Sequence, residues 1–154
     1  MRLANIEKAG YYPTPPIVTQ LIASHISPTT SPSRTLDPCA GTGIALATLT
    51  DQLNSQPYGV ELHANRAEQL RQLLPIGHAL HTDYRYLKIS PDSFNLLFLN
   101  PPYLRVEDKE IGRAEYQWLL NTRPFLQPDG LLIYLIPAHI LAHKQTATYL
   151  AAWY

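Results

Sequence analysis

The chain has 154 residues, of which 45% are apolar and 16% charged, and its formal net charge is zero. This balance is typical of a single globular domain with a sizeable core, which we take to span residues 1–154. The single cysteine excludes an internal disulfide, no apolar run approaches the roughly 20 residues of a membrane span, and the neutral charge argues against binding nucleic acid by electrostatics alone.

The predicted elements alternate along the chain. Five strands are predicted, at residues 34–38, 58–62, 78–82, 94–99 and 130–136, of which the third is weaker and the last two are clear apolar runs. Apolar residues at helical spacing predict helices at 14–26, 114–125 and 138–153, with two more marked by Leu46, Leu49 and Leu53 and by Ala67, Leu70 and Leu73. This order predicts an α/β fold with a doubly wound, mainly parallel sheet, in which ligands bind at the carboxyl ends of the strands.

The first strand ends in the sequence LDPCAGTG, residues 36–43. Asp37 closes the strand, and Gly41 and Gly43 allow the backbone to turn tightly and to approach a ligand closely. A nicotinamide or flavin site would have a third glycine where this chain has Leu46. On its own the pattern is equally consistent with an ordinary strand-to-helix turn.

The next two strands end in acidic residues. Glu61 follows the glycines at close to the roughly 20-residue offset at which an acid binds ribose hydroxyls in nucleoside-binding α/β folds. Asp83 could accept a hydrogen bond from an adenine amino group, and Tyr84 could cover the adenine ring. Taken singly, these positions are better explained as a solvated acid, a turn aspartate and a surface tyrosine.

The fourth strand ends in FLNPPY, residues 98–103, which predicts a rigid corner. Prolines have no backbone N–H to donate, so a continuing strand gains nothing from them. The corner therefore indicates a special use for the strand end.

Together these motifs resemble those of the class I S-adenosylmethionine-dependent methyltransferases. The Asn-Pro-Pro-Tyr corner and DPCAGTG are similar to the motifs of the DNA adenine-N6 enzymes, and YYPTP (11–15) resembles their N-terminal cofactor motif. The resemblance implies a Rossmann-like methyltransferase sheet that uses S-adenosylmethionine. The cofactor-binding residues that it implies are Tyr12, Thr14, Asp37, Pro38, Cys39, Ala40, Gly41, Gly43, Glu61, Asp83, Tyr84 and Asn100.

The resemblance also implies a catalytic corner, formed by Asn100, Pro101, Pro102 and Tyr103. An adenine amine is a poor nucleophile, and acceptors on the Asn100 side chain and the Pro101 backbone, which Pro102 restricts, would activate it. Tyr103 would stack on a base swung out of the duplex. Direct in-line transfer needs no metal and no covalent intermediate. We therefore expect Asn100→Ala to abolish transfer and to leave cofactor affinity nearly intact.

Other reactive residues are interpreted as structural. Cys39 precedes the position of the catalytic cysteine in cytosine-C5 enzymes and is predicted to be a packing residue. His139 and His143 share a helical face but have no evident third ligand, so no metal site is predicted. Trp118 is predicted to pack in the core or a lid, and the charged segment 105–113 to be either a solvated loop or a cover over the substrate.

The chain also departs from the family pattern. The family fold normally has seven strands and a target-recognition region, so the domain is predicted to be truncated after the fifth strand, with the missing parts lost or supplied by a partner subunit.

DNA is the expected substrate, bound weakly by this fragment alone. No signal peptide is evident, so we expect a cytoplasmic location. The alternatives are methylation of ribosomal RNA or of a protein glutamine amide, and a non-catalytic cofactor-binding module of a larger assembly.

Overall fold

The main elements of the described residues are five strands and four α-helices, with short 3₁₀ helices at Tyr84–Tyr86 and Arg123–Phe125. The structure is a computed structural model, and it describes residues 11–28, 30–102, 114–138, 148 and 151. The strands are β1 (Arg34–Asp37), β2 (Gln56–Glu61), β3 (Ala79–His81), β4 (Phe94–Leu99) and β5 (Leu126–Tyr134). The helices are α1 (Pro16–Ser24), α2 (Ile44–Leu53), α3 (Ala64–Leu73) and α4 (Ala114–Thr122).

The strands form one sheet in the order β3-β2-β1-β4-β5, and every neighbouring pair is parallel. The chain moves outward from β1 to β3 and then returns to the other side of β1, so the strand order reverses between β1 and β4. Sheets of this kind bind ligands at such a switch point. The predicted Rossmann-like fold is confirmed, and Asp37 and Asn100 flank its switch point.

The helix faces that cover the sheet follow the predicted spacing at most positions. Leu46 and Leu49 of α2 and Leu70 of α3 are fully buried. Leu73 was expected on the same face as Leu70, yet it is exposed and Leu74 is buried in its place. The helix ends at Leu73 and Leu74 has an extended backbone, so helical spacing no longer decides which side chain faces the core.

Helix α1 packs on the core through Thr19 and Ala23, with Ile22 partly buried beside them, as the apolar spacing predicted for Ile22. Thr19 and Ala23 are buried, whereas Ile17 and Leu21 are 71% and 60% exposed. Ala23 belongs to the cluster that α2 and β4 form beneath this helix. The apolar spacing therefore predicted the helix and the packing of Ile22 and Ile26, but not the exposure of Ile17 and Leu21.

Strand β5 is interrupted near its start. Leu126 pairs with Phe94 and Leu131 pairs with Leu96, so residues 127–130 stand opposite Asn95 alone. Asp129 has a φ of 61°, and Pro128 has no N–H for the ladder. The strand therefore begins at residue 126 and ends at 134, where the sequence predicted 130–136.

Several predicted features lie outside the described residues: Tyr103, the charged segment 105–113, and His139 and His143. Of the predicted helix at 138–153, the structure describes residues 138, 148 and 151, each in a helical conformation. None of the helices in the described ranges combines the length and the apolar character needed to cross a membrane.

Candidate functional site at the carboxyl edge of the sheet

The parallel sheet brings the predicted site residues to one edge. Asp37, Glu61 and Asn100 end or follow β1, β2 and β4, and Asp83 follows β3. Because all these strands run in the same direction, their carboxyl ends share that edge. A hydrogen bond described below joins the loop after β1 directly to the acid at the end of β2.

The glycine loop after β1 turns as predicted, but its close contacts are with the chain itself. Gly41 and Gly43 have φ values of 58° and 86°, which residues other than glycine rarely adopt. A Cβ at Gly41 would lie 2.5 Å from Cε2 of Tyr11, and one at Gly43 would lie 2.5 Å from Cδ1 of Leu70. Gly41 therefore provides the surface on which the Tyr11 ring rests, and Gly43 lets α3 pack against the loop.

Asp37 is an unusual acid because it is only 3% exposed. Burial raises the pKa of its carboxyl to about 7, the hydrogen bonds from Cys39 oppose the shift, and the charge of Glu61 adds to it. Its Oδ1 atom accepts the backbone N–H of Cys39 at 2.9 Å. A carboxyl that titrates near neutral pH at a strand end is a feature common at functional sites.

Cys39 lies between the ends of β1 and β4. Burial raises the pKa of the thiol well above its usual range, so the sulfur stays protonated at neutral pH. The Asp37 carboxyl and the backbone N–H of Asn100 are close enough to the thiol to influence the pKa of that group, the first raising it and the second lowering it. Pro38 and Ala40 on either side of it are buried. The geometry suits a packing residue and not a nucleophile.

Glu61 is 4% exposed and held by three donors. The backbone N–H of Gly41 binds Oε2 at 2.9 Å, while the N–H of His63 and the guanidinium of Arg66 both bind Oε1 at 2.7 Å. A carboxylate has about four lone-pair directions, so most of the remaining accepting capacity is on Oε2. Glu61 is therefore a fixed acceptor, and not the solvated acid that its position alone suggested.

The side chain of Asn100 has a defined orientation. Its Nδ2 atom donates to the carbonyl oxygen of Tyr12 and to Oγ1 of Thr14, both at 2.9 Å. The Tyr12 oxygen can only accept, so the nitrogen of the amide must face the N-terminal segment and the carbonyl Oδ1 must face the other way. Pro101, which follows, is buried.

Asp83 is at the predicted edge, where Arg85 binds it. The backbone N–H and the guanidinium of Arg85 reach the two carboxylate oxygens at 2.6 to 3.1 Å. These hydrogen bonds, chiefly those of the side chain, lower the pKa of Asp83. An adenine amino group would have to share this carboxylate with Arg85.

Tyr84 stacks on Trp118 of α4. The ring centroids are 3.6 Å apart with an angle of 18° between the planes, and Nδ2 of Asn121 donates to the Tyr84 hydroxyl at 3.3 Å. Trp118 is buried, as expected for a packing residue. One face of Tyr84 is thus covered by the protein, and burial raises the pKa of its hydroxyl.

The sequence analysis did not single out Leu62 and Arg66, and it included Tyr11 only as part of the YYPTP motif. Leu62, directly after Glu61, is 66% exposed and offers an apolar surface to a planar ligand. Arg66 and Tyr11 contact Glu61 and Gly41 as described. An apolar residue after a strand-end acid was a signal for Leu62, whereas nothing in the spacing of Tyr11 and Arg66 indicates that they meet. Among the described residues, no group of three His, Cys, Asp or Glu side chains is placed to hold a metal ion.

Comparison with known families shows where the chain belongs. The sequence profile of an uncharacterised methyltransferase family (DUF6094) matches residues 1–148. The chain belongs to this family. No curated protein is significantly similar to it in sequence. The family match confirms the resemblance to methyltransferases.

Solved structures with the same fold include three methyltransferases. A candidate class I S-adenosylmethionine-dependent methyltransferase from Listeria monocytogenes has a TM-score of 0.70 and 19% identity, over 90% of this chain and 50% of that one. A type I restriction-modification methyltransferase subunit from Streptococcus thermophilus has a TM-score of 0.69 and 19% identity, over 84% and 35%. The tRNA (m1A58) methyltransferase TrmI from Aquifex aeolicus has a TM-score of 0.64 and 15% identity, over 92% and 53%. At these identities the likeness establishes the fold, and this chain spans about half or less of each neighbour.

Proposed function

We propose that this methyltransferase chain binds S-adenosylmethionine and transfers a methyl group to an exocyclic amine, with N6 of adenine in DNA as the target. The observation that carries the proposal is the orientation of Asn100 at the end of β4. Its N–H groups bind Tyr12 and Thr14, so its carbonyl oxygen is the group that can meet an amine.

The residues at the edge fit the cofactor. When bound, S-adenosylmethionine supplies an electrophilic methyl group on a positively charged sulfur. Glu61 offers a buried, fixed acceptor for ribose hydroxyls, and Leu62 offers an apolar surface for a nucleobase. Asp37, when ionised, favours the positive charge nearby. Tyr12 and Thr14 belong to the N-terminal segment, which accepts hydrogen bonds from the Asn100 side chain at the end of β4.

The amine is held by the corner that follows β4. Oδ1 of Asn100 and the carbonyl oxygen of Pro101 accept hydrogen bonds from its two N–H groups, which increases the electron density on nitrogen. Pro102 restricts Pro101 and so fixes the direction of that carbonyl. Tyr103, outside the described residues, is proposed as the stacking platform for an extruded base. Transfer of the methyl group to the amine nitrogen would leave S-adenosylhomocysteine as the second product, and the surplus proton of the amine would pass to solvent.

DNA is preferred to other amine substrates because two independent features support it. The Asn-Pro-Pro-Tyr corner is similar to that of DNA adenine-N6 enzymes, and one structural neighbour is a restriction-modification methyltransferase subunit. A further region of the protein or a partner subunit would supply target recognition, and a cytoplasmic location goes with this role. The fold of a tRNA methyltransferase makes RNA the second candidate substrate.

The cofactor part of the proposal gives a prediction for Glu61. Replacing Glu61 by Ala should weaken binding of S-adenosylhomocysteine by about 1–3 kcal/mol, because an acceptor for the ribose is lost. Calorimetry measures the affinity. Glu68→Ala is the matched control, since Glu68 is an exposed acid whose ion pair with Arg71 is 3.6 Å long. Equal affinity of Glu61→Ala and wild type would remove Glu61 from the site.

Mass spectrometry of nucleosides tests the reaction. Unmethylated DNA made by amplification is incubated with the protein and isotopically labelled cofactor, and is then digested to nucleosides. We expect label in N6-methyladenine, and none with Asn100→Ala. Label in RNA or in protein, with none in adenine of DNA, would transfer the assignment to those substrates. Cofactor binding with no label in any substrate would leave a non-catalytic module.

A further inference from the structure

Arg66 lies between two parts of the site that are far apart in sequence. One of its terminal nitrogens binds Oε1 of Glu61 at 2.7 Å, and its Cζ atom lies 4.4 Å from the centroid of the Tyr11 ring. Its side chain is 21% exposed, compared with 5% for Glu61. Arg66 therefore joins the acid at the end of β2 to the N-terminal segment by an ion pair and a cation–π contact.

The guanidinium is placed by these two contacts. Its Nε atom is buried and has no hydrogen-bond partner among the residues that the structure describes. A planar guanidinium can stack on a ring and bind a carboxylate at the same time, whereas a lysine ammonium has no planar face. The position thus requires arginine for geometric reasons and not for charge alone.

Tyr11 completes a closed set of contacts. Its ring rests on the bare backbone of Gly41, whose N–H binds the second oxygen of Glu61. Tyr11, Gly41, Glu61 and Arg66 therefore each contact two others in the set. The chain then continues to Tyr12, whose carbonyl oxygen orients the Asn100 amide.

We propose that Arg66 is a positioning residue of the cofactor site, which fixes the Glu61 carboxylate and, through Tyr11, fixes the N-terminal segment over the glycine loop. This rests on the proposed cofactor but not on the proposed DNA substrate. Arg66 and Tyr11 act as one unit, so the loss of either partner removes most of the benefit of the other. The aromatic ring of Tyr11 is required, and its hydroxyl is not.

Cofactor affinities of a small set of variants test the inference. The variants are Arg66→Met, Arg66→Lys, Tyr11→Leu, Tyr11→Phe and the double variant Arg66→Met/Tyr11→Leu. Arg71→Met is the control, because Arg71 is an exposed arginine of the same helix with only a long ion pair. The dissociation constant for S-adenosylhomocysteine is measured by calorimetry, and thermal unfolding by circular dichroism shows that each variant is folded.

We expect Arg66→Met to weaken binding at least about tenfold, since a hydrogen bond to a charged group is lost. Tyr11→Leu should weaken it about fivefold and Tyr11→Phe less than about twofold, because a phenyl ring keeps the cation–π contact. Arg66→Lys should be close to Arg66→Met, and the double variant should bind about as well as Arg66→Met, because the two residues form one coupled pair.

Three results would overturn the inference. The first is wild-type affinity in Arg66→Met, and the second is strictly multiplicative effects in the double variant. The third is equal weakening by Tyr11→Leu and Tyr11→Phe, which also decides the matter if Arg66→Met does not fold. Each of these leaves the cofactor proposal intact. A wild-type chain that binds no S-adenosylhomocysteine removes the cofactor proposal and this inference together.

Discussion

Replacing Asn100 by Ala is expected to lower methyl transfer by about 100-fold or more and, in addition, to weaken cofactor binding. The first effect follows from the loss of a fixed hydrogen-bond acceptor for the amine in the transition state. A loss of rate of about 100-fold is the size found when a single group that stabilises developing charge is removed. The second effect replaces the nearly intact affinity that the sequence led us to expect, because in the structure the same amide donates to Tyr12 and Thr14. Two lost hydrogen bonds of about 0.5–1.5 kcal/mol each predict a loss of roughly fivefold or more in affinity.

A matched variant separates the two effects. Thr14→Val removes one partner of the Asn100 amide and leaves its carbonyl oxygen in place. It should weaken cofactor binding, yet it should transfer at nearly the wild-type rate when the cofactor saturates the enzyme. Single-turnover rates at saturating cofactor make the comparison. Wild-type rates in Asn100→Ala under those conditions would exclude Asn100 from the contact with the amine.

The second large effect concerns the stability of Asp37→Asn, which should unfold at higher urea concentration than wild type at pH 8. The pKa of Asp37 rises from 3.8 to about 7 on folding because burial disfavours the charged form. Below pH 4 Asp37 is protonated in both the folded and the unfolded state, so it does not change the free energy of unfolding. Between about pH 4 and 7 the folded state binds more protons, so the free energy of unfolding falls as the pH rises. Above pH 7 Asp37 is ionised in both states, and the folded state is destabilised by the full amount.

The magnitude and the test follow from this shift. A shift of about three pKa units corresponds to about 4 kcal/mol, which is the upper limit of the gain in Asp37→Asn. Asparagine keeps the Oδ1 acceptor for the Cys39 N–H. Urea unfolding at pH 4.5, 6 and 8 should give a difference between the two proteins that is smallest at the lowest pH, at most about 1 kcal/mol, and that grows as the pH rises. A constant difference across this range would show that Asp37 does not titrate as described.

The sequence predicted the order of strands and helices well, and its clearest strand is the apolar run of β4. The interval 94–99 was predicted to the residue, since every side chain of β4 except Asn95 is buried and two prolines follow. Strand β5 was predicted less well, because the Pro-Asp-Gly sequence at 128–130 indicates a turn and hides the pairing of Leu126 with Phe94. Local patterns cannot show that a strand resumes after an interruption.

The sequence indicated where the candidate site residues lie but not what they contact. Because Asp37, Glu61 and Asn100 are at or next to the ends of parallel strands, they were expected at one edge of the sheet, and the structure places them there. That Glu61 is a buried, triply bonded acceptor depends on Arg66 and on the loop at Gly41, which the fold brings together. The contact of Arg66 with Tyr11 depends on the three-dimensional path of the N-terminal segment. No periodicity within either segment specifies such a contact.

The bonds between Asn100 and the N-terminal segment join residues that are 86 and 88 positions apart in the chain. During synthesis the segment at Tyr12 and Thr14 leaves the ribosome long before its partner exists. Closing so long a loop costs conformational entropy. The free energy that offsets this cost comes from the sheet, and only once β4 has paired with β1. The pocket is therefore expected to be completed late in folding, and a ligand that binds the completed pocket stabilises the product of that late step.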